Sequence, residues 1–141
     1  MRKLALDLGT RTCGFAISDE LAIIASPLEN FRFDENDFDS VISKTINYLE
    51  SYKNVDEIIL GLPLRSNGSK SERTIMVENF KNKLESKLIE IDKKLPIKFI
   101  NEYGSTKDAE NIMIQAGLSR QKRKKHKDKL AAVIILERYL N

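Results

Sequence analysis

With 141 residues, 41% of them apolar and 32% charged, the chain has the length and composition of one soluble globular domain, 1–141, that buries about two-thirds of its unfolded surface without staples. No apolar run is long enough to span a membrane, no long apolar stretch with a cleavage site opens the chain, and a single cysteine, Cys13, excludes an intrachain disulfide and a cysteine metal cluster; together these imply a cytoplasmic protein. The net charge is only +3, but Arg120 to Lys129 (RQKRKKHKDK) hold seven Lys or Arg and one Asp, a net +6 that leaves −3 for the rest, and a mildly acidic body with one basic segment implies an anionic polymer as partner.

Residues 2 to 7 predict a first strand, and Gly9, Thr10 and Arg11 a turn. Residues 13 to 18 (CGFAIS) predict a second strand, with Gly14 permitting close backbone approach. Residues 22 to 33 (AIIASPLENFRF) predict a third, interrupted at Pro27, where a ladder donor is lost. Three strands joined by short turns are most simply an antiparallel meander. The period then changes: Phe38, Val41, Ile42, Thr45, Ile46 and Leu49 recur at helical spacing, with Asn36 or Asp37 as N-cap. VDEIILGLP (55 to 63) predicts a short apolar strand, and LRSNGSKS a polar loop. Residues 71 to 92 predict a second helix with Ile75, Phe80, Leu84, Leu88 and Ile91 on or near one face. IKFINE (97 to 102) predicts a fifth strand, and residues 105 to 116 a third helix ended by Gly117. A basic loop and a strongly apolar final helix, KLAAVIILERYLN, complete the chain. The order β-β-β-α-β-α-β-α-α predicts an α/β fold: a five-stranded mixed sheet, three antiparallel N-terminal strands and then two parallel, with helices on both faces.

Three carboxylates are candidates for chemistry. Asp7 ends the first strand, Glu102 ends the fifth, and Asp128 opens the last helix. If the first and fifth strands both run parallel to the fourth, Asp7 and Glu102 emerge at the same C-terminal edge, where open α/β sheets gather ligands. A helix packed over that edge brings Asp128 alongside. Three carboxylates within about 5 Å repel by roughly 3 kcal/mol per pair at an effective dielectric near 20, so the cluster needs a use. Oxygen-only ligands suit Mg²⁺ or Mn²⁺, and two such ions about 4 Å apart hold the attacking and leaving oxygens of an in-line phosphodiester displacement. Singly, each acid has a plainer reading: Asp7 capping its own turn, Glu102 as a solvated rim residue, Asp128 as a helix-dipole partner.

The cations Arg120, Lys122, Arg123, Lys124, Lys125 and Lys127 are candidates for phosphate binding, against the alternative of a solvated loop. His126, the only histidine, lies among lysines and reads as a phosphate contact or a bystander. GLPLRSNGSKSERT (61 to 74) resembles a strand-to-helix phosphate loop. Gly61 and Gly68 would allow tight turns there, Ser69 or Ser71 would start the helix, and Arg65, Asn67, Lys70 and Arg73 would face an anion; Arg11 joins this set from the first turn. The segment lacks GxxxxGK[ST], which excludes a Walker loop, and an ordinary polar connection is the competing reading. Cys13 reads as a small core residue. Phe31, Phe33, Tyr48, Phe80 and Phe99 read as core or strand residues.

Four blocks in order, LALDLGTRTCGFAISD, IILGLPLRSNGSKSERT, NEYGST and KDKLAAVIILERYL, resemble the YqgF/RuvX family of pre-16S rRNA nucleases, earlier described as Holliday junction resolvases. The resemblance covers essentially the whole chain. It implies a ribonuclease H-like fold and phosphodiester cleavage dependent on Mg²⁺ or Mn²⁺ that completes the 5′ end of small-subunit ribosomal RNA. The family's strand-one Asp falls on Asp7, the Glu of its D-E-R-x-[ST]-[ST] motif on Glu102, and the Asp before its final apolar helix on Asp128. Its GLP…NG loop falls on Gly61, Leu62, Pro63, Asn67 and Gly68. Where the family has D-E-R, this chain has Asn101, Glu102 and Tyr103, so one carboxylate and one guanidinium are lost. The partner so implied is precursor rRNA or branched DNA, met by a monomer or weak homodimer. A resolvase-like DNA nuclease and a non-catalytic RNA-binding module are the alternatives. DLGT also occurs in the phosphate loop of actin-like and sugar kinases, but that architecture needs two such domains around its nucleotide.

Overall fold

Five strands form one sheet in the computed structural model, in the order β3-β2-β1-β4-β5. The structure describes residues 1–102, 107, 111, 113–115, 117 and 119–141, the side chains of 124–129 excepted. Strands β1 (Arg2–Leu8), β2 (Thr12–Ser18) and β3 (Ala25–Arg32) make the antiparallel meander, while β4 (Val55–Leu62) pairs parallel with β1, and β5 (Ile97–Asn101) parallel with β4. The mixed topology predicted from the strand order is therefore the one observed. The third strand is shorter than predicted and begins after Ile24. It lies at the sheet edge, where Pro27 removes no ladder bond a neighbour needs, and the β2–β3 register shifts between Phe15 and Ala16, opposite that proline.

Alternation along the strands sorts side chains onto two faces. Leu4, Leu6 and Leu8 of β1 and Ile58 and Leu60 of β4 are buried under α1 (Phe38–Ser51) and α2 (Glu72–Glu90), with Val41, Ile42, Val77, Phe80, Leu84 and Leu88. Ala5, Ala16 and Ile59 face the opposite way and are covered by Ala132, Val133, Ile135 and Leu136 of α3 (Arg120–Leu140). Asp37 is the N-cap of α1, and its carboxylate accepts a hydrogen bond from the Ser40 hydroxyl at 2.6 Å. Ser71 caps α2 through a reciprocal box with Thr74. Of the predicted face of α2, Ile75 is 51% exposed and does not join the core; Phe99 of β5, an edge-strand residue, is 38% exposed and also stands outside it.

The C-terminal segment departs furthest from expectation. No loop separates the basic run from the apolar helix: α3 is continuous from Arg120 to Leu140, capped by Ser119, whose hydroxyl accepts from the Lys122 amide. Asp128 thus lies in the helix interior, not in its first turn. The helix predicted over 105 to 116 falls largely outside the described residues, of which 107, 111 and 113–115 are helical.

The α1–α2 face is joined through aromatic contacts, with the Phe38 and Phe80 rings edge-on at 6.0 Å and Phe80 only 1% exposed. Phe80→Ala is expected to cost about 3–5 kcal/mol, read as a fall in the urea midpoint at unchanged slope. A loss below about 1 kcal/mol would show that α2 does not depend on this contact for its place on the sheet.

Candidate active site

Asp7 is the penultimate residue of β1, and Glu102 follows the last residue of β5. Because β1, β4 and β5 are parallel, both acids stand at the C-terminal edge. Their faces follow from alternation. Asp7 shares the parity of Ala5, Gly61 that of Ile59, and Glu102 that of Ile100, all residues of the α3 face. Register places Leu6 beside Leu60 and Gly61 beside Ile100, so Asp7 and Gly61 are level. Strand β4 still lies between the two acids, a gap of about 10 Å at ordinary strand spacing.

Glu102 spans that gap by lying over Gly61. A Cβ at position 61 would stand 2.6 Å from Glu102 Oε2 and 2.6 Å from Ile135 Cδ1. Gly61 is thus inside β4, and its role is close approach, not the tight turn predicted for it. The Glu102 amide is tied to Leu62 O at 3.2 Å, which holds the end of β5 against β4.

The electrostatics are those of two neighbouring carboxyls, Glu102 buried and Asp7 half-buried. Burial, then the charge of Asp7, then a hydrogen bond with Asp7 push the Glu102 carboxyl up to about 8, while Arg73 and Arg138 pull it down. Glu102 is 9% exposed, and its Oε2 is buried with no hydrogen-bond partner among the described residues. A proton shared between the two acids is one way to hold such a pair together. A divalent cation with oxygen ligands is the other, and it would also satisfy the orphaned oxygen. The donor set therefore fits a hard divalent cation. Among the described residues no group of three His, Cys, Asp or Glu side chains converges. The third candidate, Asp128, has a helical backbone seven positions before Ile135, about two turns of α3, and a side chain outside the described residues.

The cationic candidates divide. Arg73, on the first turn of α2, donates from Nη2 to Leu8 O at 3.2 Å, beside Asp7. Arg11 is exposed and paired with Glu35 at 3.0 Å, and Lys70 is paired with Glu78 at 2.9 Å. Arg65 and Asn67 shape their own loop: the Arg65 amide donates to Ser69 O, and Asn67 Oδ1 accepts from the Ser69 amide. Gly68 at φ +82° supplies the turn. Arg120 and Lys122 are exposed and Arg123 half-buried at the start of α3; Lys124, Lys125, His126 and Lys127 have side chains outside the described residues. Cys13 is fully buried, and burial pushes its thiol well up, so it is the inert core residue predicted.

A family model described as RuvX, Holliday junction resolvase, matches residues 1–141. The chain belongs to the RuvX family. It is 46% identical over 142 residues to the "Putative pre-16S rRNA nuclease" of Mycoplasmopsis pulmonis, covering 100% of this chain and 93% of that one. It is likewise 46% identical over 143 residues to the protein of the same name from Ureaplasma parvum serovar 3, covering 100% and 97%. The solved structure of T. thermophilus RuvC in complex with Holliday junction substrate superposes with a TM-score of 0.56 over 96% of this chain and 91% of that one, at 14% identity. The RuvX chain therefore has the ribonuclease H-like fold that its sequence blocks imply.

Two residues of this RuvX site escaped the sequence reading. One is Gly61 in its true role, because a glycine at a strand end before Pro63 reads first as a turn. The other is Arg138, whose Nη1 donates to Asn101 O at 3.0 Å, next to Glu102. Its only signal in the sequence is a spacing of three from Ile135, which places both on neighbouring positions of α3.

The raised Glu102 pKa fixes a pH dependence. The ordinary value of 4.5 is raised to about 8 in the fold, so between these limits the folded chain binds more protons than the unfolded one. Stability is then fully present below about pH 4.5 and falls as pH rises through 8. Thermal melts of metal-free protein should follow that trend. Glu102→Gln should remove the dependence and raise the melting temperature at pH 8.5. A parent whose stability rises steadily from pH 5 to 8 would contradict the buried Glu102 carboxyl beside Asp7. Gly61→Ala should leave the chain folded, since both crowded atoms end flexible side chains. It should also abolish the Glu102 dependence by moving the carboxyl off the strand. Melts of this variant that track the parent's pH curve would show that Glu102 does not need the gap.

Proposed function

We propose that this RuvX protein is a divalent-metal-dependent ribonuclease that trims the 5′ end of precursor 16S rRNA in the cytoplasm. The observation that carries the reading is the Asp7–Glu102 pair, in which the buried Glu102 carboxyl reaches across Gly61 to the half-buried Asp7 and keeps its Oε2 without a hydrogen-bond partner among the described residues. The relatives' names supply the substrate.

Asp7, Glu102 and Asp128 would hold Mg²⁺ or Mn²⁺. A divalent cation, when bound, offers Lewis-acid charge to a phosphodiester oxygen and makes water a stronger nucleophile. The chain supplies the rest. Asp7 and Glu102, anchored at strand ends, hold two carboxylates at fixed positions. The apolar face of α3, with Ile135 against Glu102, buries the Glu102 carboxyl and so strengthens its charge interactions. Arg73 stands beside Leu8 O, where its guanidinium can meet a phosphate at the same edge. The first turns of α3, with Arg120, Lys122 and Arg123, and the run Lys124, Lys125 and Lys127 would neutralise backbone phosphates. Arg65, Asn67, Lys70 and Arg11 would line the flanks once substrate displaces their present partners.

The family description, Holliday junction resolvase, supports a second reading, cleavage of four-way DNA junctions by the same residues. Parallel assays on precursor 16S rRNA and on junction DNA, each with and without Mn²⁺, separate the two; the ribonuclease reading expects metal-dependent cut at the 5′ end of the RNA and slow or absent cutting of the junction. The reverse preference would replace it, and tight RNA binding without cleavage would select a non-catalytic binding module. Asp7→Asn should lower cleavage by at least about a hundredfold, since both the cation and its alignment depend on that oxygen. The same variant should keep the parent's far-UV spectrum and melt no lower than the parent in the absence of metal, because one repelling charge has gone. An Asp7→Asn protein that cuts at the parent's rate would end the assignment.

A further inference from the structure

Glu102 lies one residue past the end of β5, and β5 is the outermost strand on its side of the sheet. An edge strand has pairing on one flank only, and its terminal residue is the first to fray. Yet Glu102 must be held closely enough to keep its carboxyl over Gly61, where a single added methyl would collide with it at 2.6 Å. On the inner flank, the Glu102 amide to Leu62 O at 3.2 Å is the last bond to β4 among the described residues. On the other side, Arg138 Nη1 holds Asn101 O at 3.0 Å.

Arg138 is well placed for this. It sits in the last turn of α3, where a cation suits the helix dipole. It is one turn from Ile135, whose Cδ1 closes on the same spot above Gly61 as Glu102 Oε2. The helix is itself pinned to the sheet next door: the Tyr139 hydroxyl donates a hydrogen bond to Glu57, which also pairs with Lys3 at 3.1 Å and Lys98 at 3.3 Å. The guanidinium therefore projects from a fixed base. Its charge also opposes the raised affinity of Glu102 for a proton. Arg73 makes the matching contact on the other acid's strand, at Leu8 O after Asp7.

We propose that Arg138 is a positioning residue of the carboxylate site: by clamping the Asn101 carbonyl to the end of α3, it fixes the tip of β5 from which Glu102 reaches across Gly61 to Asp7. The clamp concerns the strand end itself; only its catalytic readout rests on the nuclease reading. It ties the integrity of the site to the docking of the C-terminal helix, so a change at the far end of α3 is felt at the carboxylates.

The test is amide hydrogen exchange on the metal-free full chain, comparing the parent with Arg138→Gln and Arg138→Lys, with the Leu60 amide as a reference for global opening. Arg138→Gln should speed exchange at Glu102 by about tenfold, as local fraying, while Leu60 is unchanged. Arg138→Lys keeps a donor and a charge and should recover part of the protection. In cleavage assays Arg138→Gln should lower kcat by about tenfold or more with KM unchanged, and Arg138→Lys should lose less. Glu102 exchange in Arg138→Gln equal to the parent's overturns the clamp whatever the enzyme does. Equal acceleration at Glu102 and Leu60 overturns it too, since the residue would then serve only global stability. If Arg138→Gln does not fold, the lysine variant decides: faster exchange at Glu102 with Leu60 unchanged supports the clamp, whereas exchange at Glu102 equal to the parent's, or a rise at Leu60 as large as that at Glu102, rejects it. Faster exchange at Glu102 in a protein that cuts neither RNA nor DNA leaves the clamp standing and removes the nuclease reading instead.

Discussion

The structure turns on one steric allowance: a glycine at position 61 lets a carboxyl from one strand cross its neighbour and meet a carboxyl on the next. Without a parallel β1-β4-β5 order the two acids would leave opposite ends of the sheet. Without the gap at Gly61 the Glu102 side chain would be pushed out to solvent, where a lone Glu gains nothing from Asp7. With both in place, the Glu102 carboxyl is held in a buried corner beside Ile135, close to the half-buried Asp7. Such a pair is unstable on its own, because burial and mutual repulsion both oppose ionisation. The fold carries this local cost and recovers it from the two cores on either side of the sheet.

Those two cores are unequal in a way that serves the site. The α1–α2 face is filled by large residues, Leu4, Leu6, Leu8, Phe15, Leu60 and Phe80. The α3 face is built from Ala5, Ala16, Ile59 and Ala132. Small residues let the helix lie close to the sheet. Close packing brings Ile135 down to Gly61 and excludes water from Glu102, while the polar network of Lys3, Glu57, Lys98 and Tyr139 fixes the helix end. The Lys3 ammonium is pushed further above the ordinary lysine range, chiefly by its hydrogen bond with Asp56, so the cationic side of that network stays charged well beyond neutral pH. The rigid base and the strained pair are thus separate parts of one helix–sheet contact.

Much of this arrangement was legible in the sequence, for identifiable reasons. Strands β1, β2, β4 and β5 have short apolar runs bounded by turn residues, and α1 has a clean helical period; local signals and tertiary structure agree there. That Asp7 and Glu102 stand at one edge followed from strand direction, since parallel strands share their C-terminal edge; that they meet depends on Gly61 as well. What escaped depended on neighbours distant in the chain. Gly61 is required by Glu102, forty-one positions later, and no local pattern encodes that. Ile75 fits the apolar spacing of α2 but lies where none of the described elements covers it. Phe99 carries a core residue's side chain on an edge strand. Arg138 acts through a backbone carbonyl, an acceptor every residue has.

The continuity of α3 is the most instructive miss. A run of seven cations in ten residues reads as a loop because like charges repel, yet repulsion at helical spacing is worth only a few tenths of a kcal/mol per pair. Lys, Arg and Gln are good helix formers, and no Gly or Pro interrupts Ser119 to Leu140. Packing of Ala131 to Leu136 nucleates the helix from its C-terminal half, after which each added residue propagates at little cost. The resulting rod is nonetheless poorly matched to its own dipole. Its first turn carries no acid, whereas Arg120, Lys122 and Arg123 lie where negative charge would be favoured. A phosphate chain relieves both defects at once, the cation–cation repulsion and the mismatch with the helix N-terminus. Because the rod is already ordered, little conformational entropy is lost when it binds. A solvated loop of the same composition would have to be ordered first. The same basic run therefore favours a polyanion more strongly as a helix than it did as the loop its charge suggested.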